Sequence, residues 1–145
     1  MGVPKQSTLP GGQILHYSIG AVIERDGKYV LLDRLKEPFG FACPAGHVDE
    51  REINWRAMDR EVYEETGLEV LLYSHVIKNR KVYDNKCRHG VSIHEWDVYL
   101  CQVKGTLKHN PQESKSIGTY SRQQITTLKL EPIWRDFLKE LEIIE

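Results

Sequence analysis

An α+β fold, a mixed β-sheet held between helices, is what the 145-residue chain predicts, on three observations. Branched apolar runs of strand length recur on both sides of residues 46–68. A charged amphipathic segment fills that interval, and a second segment with one apolar face closes the chain. The length suits one domain with a real hydrophobic core. Residues 1–12, with two prolines and an adjacent pair of glycines, read as a loose arm, and residues 13–145 as a single domain.

From Ile14 to Glu24 the run is rich in branched apolar residues. Asp26-Gly27 then marks a hairpin turn into a second strand, Tyr29 to Leu32. Arg34 and Lys36 follow it as free cations or phosphate partners. Phe39 to Cys43 is a short apolar stretch, and Pro44-Ala45-Gly46 is turn material in which Gly46 has access to conformations closed to other residues. Asn54 is the best N-cap for a helix of about 12 residues, which Gly67 ends as a left-handed C′ residue. Trp55, Met58 and Val62 form its apolar stripe. Two strands, Leu68–Tyr73 and His75–Val82, are expected next. After a turn at residues 83–86, Val91 to Val103 alternates as a long strand. Gly105 to Lys115 is a polar loop, Ile117 to Tyr120 a last strand, and Arg122 to Leu128 a short helix or turn. Trp134, Phe137, Leu138 and Leu141 then make Pro132–Ile143 a helix that covers the core.

Composition narrows the function. A hydrophobic share of 40%, a formal charge of −1 and a pI near 6.6 lack the basic excess of extended nucleic-acid binders. No apolar run approaches the roughly 18 residues of a membrane helix, and no secretory pattern opens the chain, so a soluble, cytoplasmic protein is expected. Cys43, Cys87 and Cys101 are odd in number and lack C-x-x-C spacing, so disulfides are not indicated. Cys43 and Cys101 read as packing residues. Cys87, His89 and His94 suggest a soft-metal set, but the C-x-H spacing is not a standard zinc pattern and no fourth ligand is evident.

The densest chemistry lies at Glu61, Glu64 and Glu65. At about 100° per residue, Glu61 and Glu65 stand one turn apart on one helical face, with Glu64 within about 60° of Glu61. Like charges so placed cost about 0.2–0.5 kcal/mol per pair in an isolated helix, so local stability does not favour them. A hard divalent cation reverses that sign, and carboxylate oxygens suit Mg²⁺, with Mn²⁺ as the alternative.

The frame around these residues is G-x5-E-x7-R-E-U-x-E-E-x-G-U, U being a bulky aliphatic residue. It is filled by Gly46, Glu52, Arg60, Glu61, Val62, Glu64, Glu65, Gly67 and Leu68. It resembles the signature of the Nudix hydrolases, departing from the commoner form at Ala45 and Arg51, where relatives often carry glycine. The resemblance implies an α/β/α sandwich and metal-dependent hydrolysis of a phosphoanhydride bond in a nucleoside diphosphate linked to another group. It implies metal ligation by Glu61, Glu64, Glu65 and the Gly46 carbonyl, and an orienting role for Arg60. It leaves Glu64, Glu52 or a glutamate from a late loop, here Glu113, to polarise or deprotonate water. Arg34 is the candidate phosphate contact. Tyr83, near the position where dinucleoside-polyphosphate hydrolases carry tyrosine and ADP-ribose hydrolases proline, is the other substrate-binding candidate. The expected partner is a small nucleotide, and a homodimer through the N-terminal strands is compatible with the pattern. Removal of a cap or pyrophosphate from RNA would call for a basic groove that the charge does not suggest. A sensing module without turnover would have little use for an intact set of carboxylates.

Overall fold

The computed structural model describes residues 2–145, and its first strand lies where a loose arm is expected. Strand β1 (Gln6–Thr8) pairs antiparallel with β2 (Ile14–Arg25), placing Gln6 opposite His16. Lys5 N–H donates to the Val48 carbonyl at 2.8 Å and Glu50 N–H to that of Val3 at 2.8 Å. The composition of the arm is that of a loop, but backbone pairing needs no apolar side chains and ties it down.

The Asp26-Gly27 turn, with φ of 52° and 77°, closes the expected hairpin onto β3 (Lys28–Arg34). Beyond it come β4 (Phe41–Ala42) and β5 (Ala45–His47). The Pro44-Ala45-Gly46 segment is therefore largely strand, with Ser18, Ile19 and Gly20 of β2 opposite His47, Gly46 and Ala45. Helix α1 (Asn54–Thr66) follows. The two strands expected after it are one, β6 (Glu69–Val82), kept continuous through irregularities where its register on β7 (Ile93–Lys104) shifts. Strand β8 (Ser114–Tyr120), the single turn α2 (Arg122–Ile125) and α3 (Pro132–Glu140) complete the chain.

The strands form one mixed sheet in the order β4-β3-β2-β7-β6, with β1 and β5 added to β2 and β8 to β3. At its centre β2 and β7 run parallel, Leu15 opposite Ile93 through Ile23 opposite Cys101. Both faces of a central parallel pair must be covered, and strand alternation divides the side chains between two cores. Ile19, Ala21, Ile23, Tyr99 and Cys101 pack with Ala57, Met58 and Val62 of α1. Val22, Trp96 and Val98 pack with Ile133, Trp134, Phe137 and Leu138 of α3. The result is a three-layer α+β sandwich.

Two expectations for α1 change. The N-cap is Ile53, without a side-chain cap, and Asn54 is the first helical residue. Its amide donates to the Asp97 carboxylate of β7 instead, a tertiary partner that outweighs the local capping preference. Trp55 leaves the apolar stripe: it is 37% exposed and stacks on Tyr73 of β6, centroids 6.3 Å apart. At the other end Gly67, φ 75°, caps the helix and donates to the Tyr63 carbonyl, as the spacing requires. Among the described residues, no helix is long and apolar enough to cross a membrane.

Candidate active site

The carboxylates converge because α1 packs directly behind β5. Glu65, on the buried side of the helix, accepts a hydrogen bond at Oε1 from the Ala45 N–H at 2.9 Å. One turn earlier, the Glu61 carboxyl fills the space beside Gly46. A Cβ built on Gly46 would lie 2.2 Å from Glu61 Cδ. Gly46 is therefore glycine for close approach, its φ lying outside the left-handed region. Left-handed backbone occurs instead at Arg51, φ 66°, the residue standing where relatives often have glycine. An L-residue there costs about 1–2 kcal/mol, which the surrounding contacts offset.

Arg60 gathers the rest. Its Nε and Nη2 form a fork on Glu52, at 2.8 and 3.0 Å, and Nη1 donates to Glu61 at 2.7 Å and reaches Glu64 at 3.3 Å. The same Nη2 lies 3.0 Å from the His47 carbonyl and 3.3 Å from Asp49 Oδ2. Planar, delocalised and always charged, a guanidinium suits this many-sided role. The hydrogen bonds from Arg60 hold the Glu52 carboxyl below the usual range, while burial raises Asp49.

Glu61 and Glu65 behave differently. Burial is the main cause that raises both carboxyl groups above the ordinary glutamate range, and each is raised further by acidic neighbours, Glu113 among them. Glu113 lies in the loop before β8, close enough for its charge to be felt at both sites. Arg34, at the end of β3, opposes the rise at Glu65. Two desolvated carboxyl groups and a third acid in their field form a hard oxygen donor set short of positive charge, which fits a divalent cation such as Mg²⁺.

Gly46, Glu52, Arg60, Glu61, Glu64 and Glu65 thus share one site, with Glu113 and Arg34 at its edge. Tyr83 is apart. It is 63% exposed just beyond β6, and among the described residues no hydrogen bond or ion pair ties it to the carboxylates. Its neighbours Val82 and Asp84 line a recess of about 120 Å³ with Pro38, Pro132 and Ile133. Three participants were not read from the sequence: Asp49, the His47 carbonyl and Glu131. Glu131 is buried, faces Arg34 Nε at 3.2 Å, and is pushed up to about 7 by burial. The signal for it was Pro132, whose preference for the first helical turn marks the preceding residue as a cap facing the sheet.

Known proteins give the same picture. The NUDIX domain family model matches residues 14–141. A MutT NUDIX hydrolase from Burkholderia pseudomallei is 25% identical, over 86% of this chain and 96% of its own, with a TM-score of 0.73. A NUDIX hydrolase from Nitrosomonas europaea is 22% identical, over 87% of each chain, at 0.68. A MutT protein from Methanosarcina mazei Go1 is 21% identical, over 88% of this chain and 93% of its own, at 0.69. No curated protein matches the chain. With its signature residues converging behind β5 and the family match running over nearly its whole length, the chain belongs to the Nudix hydrolase family.

Proposed function

We propose that the protein hydrolyses a phosphoanhydride bond of a small nucleoside diphosphate joined to another group, using Mg²⁺ or, as the alternative, Mn²⁺. The observation that carries this reading is the packing of the Glu61 carboxyl into the space left by Gly46, with the Glu65 carboxyl buried beside it. Glu61, Glu65, the more exposed Glu64 and the Gly46 carbonyl are the residues that would hold the ion. When bound, such an ion would supply positive charge to offset the charge developing on the phosphate and would lower the pKa of a water molecule.

The chain's own groups account for the rest. Arg60 aims Glu52, Glu61 and Glu64 and pins the His47 carbonyl, so that carboxylate positions are set before substrate arrives. Glu113 is our candidate general base, with Glu64 or Glu52 as the group that otherwise polarises water. It is exposed, within electrostatic reach of Glu61 and Glu65, and sits in a loop that can approach a bound water. Arg34 supplies a cation to a substrate phosphate. The recess beside Tyr83 offers a surface against which a base or sugar can lie.

The test is phosphate release, with and without Mg²⁺, from nucleoside triphosphates, ADP-ribose, nucleotide sugars, dinucleoside polyphosphates and capped RNA, coupled to a phosphatase where needed. Metal-dependent cleavage of one small-nucleotide class is expected. Glu61→Gln and Glu65→Gln should each lower kcat/KM by at least about 100-fold, some 2.7 kcal/mol, with an unchanged circular-dichroism spectrum. Near-wild-type turnover in both variants would remove the metal-site assignment.

A further inference from the structure

On the face of the sheet opposite α1, the fold assembles a cluster that the cysteine and histidine spacing conceals. His16 of β2 and His94 of β7 are direct partners in the parallel pair. His47 of β5 stands opposite Ser18, one strand repeat from His16 and therefore on the same face. The connection between β6 and β7 brings Cys87 over them. It folds back through Asn85 N–H to the Ser92 carbonyl at 2.9 Å, Cys87 N–H to Val91 at 3.0 Å, and a left-handed Gly90, φ 79°. One donor atom from each of His16, His47, Cys87 and His94 lies within 4.8 Å of every other. We propose that these four residues form a second metal site, separate from the carboxylates, for a zinc-type divalent ion.

Three observations point to a ligand. First, His94 is 2% exposed, yet among the described residues neither of its ring nitrogens makes a well-formed hydrogen bond, although the Ser92 backbone is near enough to be felt, and His47 Nε2 is likewise buried and unpartnered. A buried polar atom left unsatisfied is destabilising, so several in one place point to a common partner. Secondly, the donor set is three imidazoles and a thiol, which is borderline-soft and wrong for Mg²⁺ but right for a tetrahedral ion of the zinc class. Bonds of about 2.0–2.3 Å would need the donors roughly 3.3–3.6 Å apart, a modest contraction that the Cys87 loop can supply. Thirdly, the rings are suited to ligation as they stand. The His47 ring centroid lies 5.0 Å from that of His16 and 5.6 Å from that of His94, so the three imidazoles already crowd one point. His89 stands at the rim, its ring centroid 5.5 Å from that of His47, and the charge of Arg88 is felt at His47.

The site has a mechanical consequence. The imidazole of His47 faces the cluster, while its carbonyl accepts from Arg60 and its neighbour Gly46 faces Glu61. An ion on this side would fix β5 from behind, bracing the strand against which the catalytic carboxylates are packed.

The experiment is metal binding by the full chain, independent of turnover. Protein stripped with chelator is titrated with Zn²⁺ against a chromophoric chelator, and with Co²⁺ while the visible and near-ultraviolet spectrum is read. One Zn²⁺ per chain is expected, together with a tetrahedral Co²⁺ spectrum carrying a thiolate-to-metal charge-transfer band. Cys87→Ser, in an exposed loop where folding is not at risk, should abolish that band and weaken Zn²⁺ binding beyond the roughly 10–100-fold that loss of a supporting outer contact costs. The double variant Glu61→Gln/Glu65→Gln should keep both the stoichiometry and the band, which separates this site from the carboxylates. Absence of stoichiometric Zn²⁺ binding, a Co²⁺ spectrum without thiolate character, or Cys87→Ser binding as tightly as wild type would overturn the proposal.

Discussion

Glu131 shows what one carboxyl can cost when the fold places it behind a wall of apolar side chains. The residue is 2% exposed, and burial raises it to about 7 against the opposing pull of Arg34. A folded-state pKa above the unfolded value means that, between about pH 4.5 and 7, the native chain keeps a proton the unfolded chain has already released. Stability contributed by this group is thus complete at low pH and falls as pH rises through the window, by an amount of order 3 kcal/mol at the top. Glu131→Gln, which resembles the protonated acid, should match wild type near pH 4.5 and exceed it at pH 8 by about 1–3 kcal/mol in urea unfolding. Equal offsets at the two pH values would show that the carboxyl is not desolvated as described. Since Arg34 also acts on Glu65, the same variant frees a cation next to the catalytic cluster. This is where a residue absent from the signature enters the site.

At the scale of elements, the pairing of β5 with α1 is the unit on which the chemistry rests. It makes Gly46→Ala a sharp probe. Its Cβ would fall 2.2 Å from Glu61 Cδ, on a side chain whose other contact is Arg60, so the carboxyl must swing away. A displacement of about 1 Å at a reacting centre costs on the order of 100-fold, and kcat/KM should fall by that factor while the melting temperature changes little. A variant with full activity would mean that the Glu61 position is not critical. The same pair of elements shows what sequence can and cannot reveal. The carboxylate cluster and the Gly67 cap were legible because helical spacing is local: residues three and four apart must neighbour one another. The end capped by Ile53 was not, because Asn54 answers to Asp97, 43 positions away. Nor was β5, whose Ala-Gly start after Pro44 reads as a turn until β2 is there to pair with it. The Cys87 cluster failed for the same reason more completely: its four members come from two long strands, a three-residue strand and a loop. No spacing rule could unite them.

For the whole molecule, the question is how two cores on opposite faces are held in one register, and the answer runs through β2. Its Ile19, Ala21 and Ile23 pack with α1, its Gly20 and Val22 with α3, and β1, β5 and β7 all pair with it. Gly20 is the position at which these demands meet. It lies opposite Ala45, whose N–H holds Glu65, and opposite Val98 of the parallel partner. Above it the Trp134 ring lies flush on the backbone: a Cβ there would be 2.4 Å from Trp134 Cζ2 and 2.5 Å from Cη2. Trp134 has no free space to retreat into, being fully buried and set edge-on against Trp96 and Phe137 at 5.9 and 5.4 Å. A packed interior does not absorb an added methyl group smoothly, and overpacking of this kind costs about 1–3 kcal/mol. Gly20→Ala should therefore lower the melting temperature by roughly 3–10 °C. The strain has two outlets: α3 can lift, or β2 can shift and take Ala45 with it. Among the described residues α3 makes no hydrogen bond to the catalytic carboxylates, so lifting it would reach the site only at its edge, through Glu131 and Arg34, whereas a shift of Ala45 would loosen Glu65 directly and reduce kcat as well. β2 is held by backbone pairing to β1, β3, β5 and β7, whereas α3 is held by side-chain packing, so β2 should hold and α3 lift. Measured together, a lower melting temperature with kcat near wild type supports that order of strengths, and a lower melting temperature with a clearly lowered kcat reverses it.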